Sequence, residues 1–388
     1  MRKCTTGRLD KVPPSGIRKF FDLIAGMEGV ISMGVGEPDF STPWNITEAA
    51  IRSLEQGFTM YTSNAGMPEL RKELSAYLKR TYGLEYDPNT ELLITNGVSE
   101  GLDLAVRAIL DPGDEVIMPD PGYVAYPATV LLADGVPVQV PTYCENGFRL
   151  SGNDVRDAVT GRTKAILIGY PANPTGAVME MDRLAEIAEV AQKRRLLVIS
   201  DEIYSLLVYD MKPACFAALP GMKDHTILLG GFSKAFAMTG WRIGYAAARR
   251  EIIAGMTKIH QYTALSSPTM GQVAALEALR SGEAEAQKMI EEYDRRRRVI
   301  VKGLNDIGLS CFEPKGAFYA FPSIKVTGMT SEEFAESLLL EEKVAVVHGN
   351  AFGPSGEGYV RCCYATSMQN IEEALERMAR FVQRHRQV

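Results

Sequence analysis

Short apolar stretches alternate with helix-forming stretches along residues 46–247, and no other feature restricts the fold as strongly. The apolar stretches predict strands at 92–95, 115–118, 136–140, 165–168, 196–200, 226–229 and 243–247. Helices are predicted at 46–56, 68–82 and 100–110, and between most of the later strands. Apolar strands separated by helices are typical of a mostly parallel sheet with helices on both faces, so we expect an α/β fold.

The pattern changes in the last quarter of the chain. A long helical region at 268–307 is interrupted near Ser281 and Gly282, and strand and helix patterns then alternate at 317–323, 330–341, 344–347, 359–364 and 371–386. This predicts a smaller α+β domain, which the N-terminal segment, with a short helix at 15–26, is expected to join. We therefore expect a large domain over 46–285 and a small domain formed by 1–45 and 286–388.

Composition excludes several classes of protein. The net charge of −6 argues against a nucleic-acid-binding surface, and the basic run at 295–298 is interleaved with acids, which favours a solvated helix face. No stretch approaches the roughly 18 apolar residues of a membrane span, and we expect no signal peptide, because no apolar stretch follows residues 1–4. The 6 cysteines lack metal-ligand spacing, so we expect no metal site and a reducing, cytoplasmic location.

Lys234 is the strongest candidate for chemistry. It follows the predicted strand 226–229 and lies beside Ser233, with Arg242 eight residues further on. A lysine held in a cleft can lose its proton and form a Schiff base with a carbonyl, while the serine and the arginine could hold a phosphate. These groups suit pyridoxal phosphate (PLP). Any single lysine is more often a solvated surface residue, so its neighbours decide.

Further polar side chains follow other predicted strands, where ligands of open α/β sheets bind. Asp201 ends an apolar strand and could pair with a protonated pyridine nitrogen, with the hydroxyl of Tyr204 facing the same pocket. A helix cap and a core tyrosine are the alternative. The strand–glycine–helix junction at 95–100 could present N–H groups to an anion, although most such junctions bind nothing.

Three more candidates complete this set. Asn173 lies in a rigid turn and can donate to a phenolate oxygen, and Tyr123 can stack on a flat ring. Arg361 lies in an apolar strand, where its guanidinium suits a carboxylate. An edge-strand charge is the alternative for Arg361.

The chain resembles the class I, fold-type-I PLP-dependent aminotransferases. The resemblance rests on residues 36–40 (GEPDF), 61–66, 173–176 (NPTG), 200–204 (SDEIY), 232–234 (FSK), 239–244 (TGWRIG), 316–319 (GAFY) and 358–361 (GYVR), which occur in the order of the family. Stretches at 15–20, 260–262 and 321–325 are similar to the branch that contains aromatic-amino-acid and acetyl-diaminopimelate aminotransferases.

The resemblance implies a role for each matching residue. Lys234 is the Schiff-base lysine and proton shuttle, Asp201 pairs with the pyridine nitrogen, and Asn173 and Tyr204 bind the ring oxygen. Tyr123 stacks on the ring, and Arg361 binds the substrate carboxylate, with a backbone contact from Gly36. The phosphate is held by Val98, Ser99, Ser233 and Arg242, and by Tyr61 of a neighbouring subunit. The family thus implies a homodimer with shared active sites and a cis peptide between Asn173 and Pro174.

The sequence also departs from relatives at three positions. Gly231 replaces a serine that often contacts the phosphate, and His348 stands where a proline is common. Ser99 replaces a lysine that binds the second carboxylate in several bacterial aspartate aminotransferases. Its absence favours another donor than aspartate.

The resemblance implies that an amino group moves from an L-amino acid, preferably aromatic, to a 2-oxo acid such as 2-oxoglutarate, in ping-pong steps through Lys234. Alanine, aspartate and acetyl-diaminopimelate stay open as donors. A β-lyase on the same scaffold is the nearest alternative. A PLP-binding regulator is a weaker one, because such proteins carry an added DNA-binding domain for which we expect no room.

Overall fold

The computed structural model describes residues 4–13 and 26–387, so the predicted helix at 15–26 lies almost entirely outside the described residues. The strands are β1 (Ile31–Ser32), β2 (Leu92–Thr95), β3 (Glu115–Asp120), β4 (Val136–Pro141), β5 (Thr163–Ile168), β6 (Leu197–Asp201), β7 (Thr226–Gly231), β8 (Gly244–Ala247), β9 (Tyr319–Ala320), β10 (Val344–Ala345), β11 (Val347–His348) and β12 (Val360–Cys363). The α-helices are α1 (Trp44–Glu55), α2 (Pro68–Tyr82), α3 (Gly97–Ile109), α4 (Ala125–Leu132), α5 (Gly152–Ala158), α6 (Met181–Arg194), α7 (Arg250–Thr263), α8 (Thr269–Ser281), α9 (Glu283–Asp306), α10 (Ser331–Glu342) and α11 (Met368–His385).

The centre of the fold is a 7-stranded sheet in the order β2-β8-β7-β6-β5-β3-β4. Neighbouring strands from β7 to β4 are parallel, and β8 pairs antiparallel with both β2 and β7. Strands β2, β3 and β8 are buried along their whole length, as expected for a sheet covered on both faces. The predicted α/β fold with a mostly parallel sheet is confirmed.

The remaining strands form two small sheets. β1 pairs in parallel with β10, and β12 lies between β11 and β9 in an antiparallel sheet. The apolar run at 344–347, predicted as one strand, is therefore two short strands that pair with different partners. The pairing of β1 with β10 joins the N-terminal segment to the C-terminal one. The domain boundaries at 46–285 and at 1–45 with 286–388 stay a prediction.

The interruption near Gly282 is confirmed, because α8 ends at Ser281 and α9 begins at Glu283. The solvated face predicted for the basic run on α9 is wrong for two of its four arginines. Arg297 is only 2% exposed and pairs with Asp294, Asp210 and Glu313 at 2.6, 3.0 and 2.8 Å. Arg296 is also buried and pairs with Asp39 at 2.8 Å. Acids from other segments neutralise these charges, and the chain pattern of α9 alone could not reveal those partners.

Two local differences matter for the site. Helix α3 begins at Gly97, three residues before the predicted start, so Val98 and Ser99 lie in its first turn. Tyr204 lies in a turn after β6, and no helix begins there, as the alternative of Asp201 as a helix cap would require. Val98, Ser99 and Tyr204 nevertheless line the same cavity.

Candidate active site

A cavity of about 710 Å³ lies at the carboxyl ends of the parallel strands and reaches the small sheet that carries Arg361. All but one of the site residues predicted from the sequence line it. They are Gly36, Val98, Ser99, Tyr123, Asn173, Asp201, Tyr204, Ser233, Lys234, Arg242 and Arg361. The exception is Tyr61, which is 82% exposed and is not part of the cavity lining.

Lys234 lies three residues after β7 and reaches into the cavity. Its Nζ donates a hydrogen bond to the carbonyl oxygen of Gly36 at 2.6 Å. Burial lowers the pKa of Lys234 to about 8, and the positive charges of Arg361 and Arg242 act in the same direction. A sizeable fraction of this amine is therefore neutral near physiological pH, as a nucleophile or proton acceptor requires.

Asp201 is the last residue of β6 and is buried, with 6% exposure. Its two oxygens accept hydrogen bonds from the hydroxyl of Tyr126 at 2.9 Å and the backbone N–H of Ile203 at 3.1 Å. Burial raises the pKa of Asp201 to about 6, against the effect of these bonds and of Lys234. A cationic nitrogen beside this carboxylate would restore its charge. The sequence prediction did not include Tyr126, although it lies one helical turn beyond Tyr123.

The N-terminus of α3 and Arg242 form an anion site at one end of the cavity. Gly97 adopts a φ of +75°, and a Cβ at this position would lie 2.6 Å from Nη2 of Arg242. A Cβ on Gly244 would lie 2.7 Å from the backbone of Gly97 and Val98. The two glycines therefore allow the guanidinium to approach the N–H groups that begin the helix. The hydroxyl groups of Ser99 and Ser233 line the same end.

Arg361 lies in β12, the central strand of its sheet, lines the cavity and is 3% exposed. This position excludes the edge-strand alternative. Its Nη1 donates to Oδ1 of Asn173 at 2.8 Å and its Nη2 to the carbonyl oxygen of Gly34 at 2.6 Å. The buried Nε has no partner among the described residues. An unpaired buried donor is costly, so this nitrogen indicates an acceptor that binds here.

Tyr204 and Tyr319 also line the cavity and contact each other. The hydroxyl groups of Tyr204 and Tyr319 are 2.6 Å apart, and Tyr319 also lies beneath the guanidinium of Arg361. The sequence analysis named Tyr319 only as part of the family motif at 316–319 and predicted no role for it. The cis peptide predicted between Asn173 and Pro174 is confirmed. His348 pairs with Asn350 and is not part of the lining, which favours an incidental loop histidine.

These groups fit PLP. The cavity supplies a lysine with a lowered pKa, a buried carboxylate that lacks a cation in direct contact, an anion site and an aromatic side chain, Tyr123, on its wall. Within residues 4–13 and 26–387 no group of three or more histidine, cysteine or acidic side chains could hold a metal ion. No helix in the same residues is long and apolar enough to cross a membrane.

Comparison with known proteins agrees with this site. The family model "Aminotransferase class I and II" matches residues 28–378. An aspartate aminotransferase of Pyrococcus abyssi is 49% identical over 96% of each chain, and aromatic-amino-acid aminotransferase 2 of Thermococcus litoralis is 46% identical over 96% of each chain. A structure of Thermus thermophilus aspartate aminotransferase with maleate superimposes with a TM-score of 0.93 at 40% identity, covering 98% of this chain and 100% of that one. The chain therefore belongs to the class I and II aminotransferase family and is a PLP-dependent, fold-type-I aminotransferase.

Proposed function

We propose that this aminotransferase takes the amino group from an aromatic L-amino acid and passes it to 2-oxoglutarate in two ping-pong half-reactions. The observation that carries the proposal is the unpaired Nε of Arg361, which lines the same cavity as Lys234. A substrate carboxylate bound there would bring its α-carbon towards Lys234. The amine of Lys234 is available to remove a proton because burial lowers its pKa to about 8.

PLP, when bound, supplies an electron sink for the carbanion that forms next to the amino group. Asp201 would hold the protonated pyridine nitrogen, and Asn173 and Tyr204 would donate to the ring oxygen. Val98, Ser99, Ser233 and Arg242 would hold the phosphate, and Tyr123 would stack on the ring. In the first half-reaction Nζ of Lys234 would take the α-proton of the amino acid, and in the second it would give a proton to the carbon that becomes the α-carbon of the new amino acid. Gly36 helps to position the amine because its carbonyl oxygen accepts from Nζ.

The charges of the lining support an uncharged substrate side chain. The basic residues among the described lining are Lys234, Arg242 and Arg361, and each has a proposed role already. Ser99 offers a hydroxyl group instead of a second cation. Relatives named for aspartate and for aromatic amino acids are almost equally similar, so the family match leaves this choice to the pocket.

A half-reaction screen tests this proposal. The PLP-loaded enzyme is mixed with each of the twenty amino acids alone, and the loss of cofactor absorbance and the 2-oxo acid formed are measured. We expect one 2-oxo acid per site, formed fastest with phenylalanine or tyrosine, and renewed turnover when 2-oxoglutarate is added. A faster reaction with aspartate would contradict the substrate. Continuous release of pyruvate and ammonia without an acceptor would indicate a β-lyase instead.

We also propose a homodimer with shared active sites. Tyr61 is not part of the lining of its own cavity, and two hydrogen bonds fix its loop. The carbonyl oxygen of Met60 accepts from Thr269 at 2.6 Å, and the side chain of Asn64 donates to the carbonyl oxygen of Leu265 at 2.7 Å. Large apolar side chains are exposed on this loop and on its neighbours: Ile51, Leu54, Phe58, Met60, Tyr61, Tyr262 and Leu265. A second copy of the chain would cover them and receive Tyr61 at its phosphate site.

We propose a cytoplasmic location for this dimer. Cys144, Cys215, Cys311, Cys362 and Cys363 are thiols, and the last two are adjacent and buried. Buried thiols without disulfides are usual in reducing compartments. Fluorescence microscopy of the tagged chain in its own cells would test the location.

A further inference from the structure

Tyr319 contacts three parts of the cavity wall, which are Tyr204, Arg361 and the segment at Gly36. Its hydroxyl is 2.6 Å from that of Tyr204, and its ring lies 4.5 Å from the guanidinium carbon of Arg361. A Cβ on Gly36 would collide with the Tyr319 hydroxyl, so the residue also packs against the segment that accepts the hydrogen bond from Lys234. Tyr319 is buried and lies in β9, which pairs with the strand that carries Arg361.

We propose that Tyr319 is a positioning residue, whose hydroxyl orients Tyr204 as a donor and whose ring holds Arg361 in place for the substrate carboxylate. This inference rests on the roles proposed above for Tyr204 and Arg361. It adds a physical connection between the ring-oxygen side and the carboxylate side of one site.

The direction of the hydrogen bond follows from proton counting. Each phenol carries one proton. Once Tyr204 donates its proton to the ring oxygen of the cofactor, its own oxygen can only accept from Tyr319. Tyr319 must then be the donor, and the two phenols form a chain in which each bond strengthens the next. Loss of the Tyr319 hydroxyl should therefore weaken donation by Tyr204.

The ring of Tyr319 acts on Arg361 independently of its hydroxyl. A guanidinium over an aromatic face is attracted by the ring, and Phe352 lies on the same group at 4.9 Å. The charged or titratable groups that act on Tyr319 are Arg361, Cys363, Tyr204 and Tyr123. Hydroxyl and ring effects can thus be separated by Tyr319→Phe and Tyr319→Leu.

The test is a pH titration of the cofactor absorbance in the PLP-loaded enzyme. We expect Tyr319→Phe to raise the pH midpoint by on the order of half a pH unit, because a weaker donor leaves more negative charge on the ring oxygen. Tyr204→Phe should raise it further. In the double variant the second change should add nothing, since Tyr319 acts through Tyr204. Tyr209→Phe is the matched control, because Tyr209 is also a buried tyrosine with a hydrogen-bonded hydroxyl, which donates to the carbonyl oxygen of Ala317, but it lies outside the cavity lining.

The carboxylate side is measured with 3-phenylpropanoate, a carboxylate without an amino group. Its Kd should stay unchanged in Tyr319→Phe and rise roughly three- to thirtyfold in Tyr319→Leu. A midpoint in Tyr319→Phe equal to that in Tyr209→Phe, or an equal shift in the Tyr204→Phe background, would overturn the inference alone. If Tyr204→Phe itself leaves the midpoint unchanged, the proposed role of Tyr204 fails as well.

Discussion

Burial opposes the negative charge of Asp201 on the cavity wall. It is buried, and its oxygens accept from a tyrosine hydroxyl and one backbone N–H rather than from a cation in direct contact. Its pKa of about 6 lies above the usual value of about 3.9 because burial penalises the charged form. A bound pyridinium would remove that penalty, so this residue ties cofactor binding to protein stability.

This leads to a prediction about pH. The folded, cofactor-free protein holds the proton of Asp201 more tightly than the unfolded chain, so the resulting stabilisation is present below about pH 4 and is lost as the pH rises through about 6. Asp201→Asn should therefore stabilise the cofactor-free protein by on the order of 2 kcal/mol at pH 7.5 relative to pH 4. Addition of PLP should make the wild type more stable than Asp201→Asn. Urea unfolding at both pH values, with and without PLP, measures this.

Glu202 provides the control for that experiment. It is the next residue, is equally buried, and has a pKa raised to about 7 by burial, but it is not part of the cavity lining. Glu202→Gln should show a similar pH-dependent gain without the cofactor and no reversal with it. If PLP stabilises Asp201→Asn as much as the wild type, the proposed pairing with the pyridine nitrogen is wrong.

At the scale of elements, the first turn of helix α3 packs closely against the start of strand β8. Gly97 begins the helix with a positive φ, and Gly244 begins the strand close to it, directly after Arg242 and Ile243. Gly231 belongs to the same contact, because a Cβ there would lie 3.1 Å from Val98 and 3.2 Å from Ile203. A serine hydroxyl at 231 therefore has little room, and the phosphate depends more on α3 and Arg242.

Gly97→Ala tests this dependence. The new Cβ would meet Arg242 and the backbone would be strained, so we expect a loss of about 1 kcal/mol in stability and roughly tenfold weaker PLP binding. Gly83→Ala is the control, since Gly83 has a similar φ of +71° at the end of α2 with nothing within 4 Å of its Cβ. It should lose similar stability and keep the wild-type PLP affinity. Equal PLP affinity in the two variants would argue against this anion site.

At the scale of the whole molecule, the proposed dimer makes a quantitative prediction. Lys234→Ala should abolish turnover and the absorbance band of lysine-bound cofactor, and Tyr61→Phe should weaken phosphate binding. In a mixed dimer one site would combine Lys234 from one subunit with Tyr61 from the other and would be fully wild type. Random mixing should therefore yield about a quarter of the wild-type sites at limiting PLP. Sedimentation and activity of the remixed subunits measure this. An activity of the mixture equal to the sum of the activities of the two separate variants would exclude shared sites.

The sequence predicted the parts of the site that follow from local pattern. Asp201, Asn173 and Lys234 could be found because each lies at or shortly after the end of an apolar run. The carboxyl ends of parallel strands share one edge of the sheet, so these residues were expected to lie together. Contacts made across distant segments could not be found. The bond between Tyr126 and Asp201 spans 75 residues, and that between Tyr204 and Tyr319 spans 115. Asp210 and Glu313, the partners of Arg297 from other segments, were missed for the same reason.

The loop around Tyr61 has a consequence for how the enzyme behaves on dilution. Since this loop is fixed and Tyr61 is not part of the lining of its own cavity, a separated subunit of the proposed dimer would lack one phosphate ligand. Cofactor retention and subunit association would then be linked by mass action, so each strengthens the other. At low expression the chain would lose PLP before it loses its fold, and the supply of cofactor would set how many active sites exist in a cell.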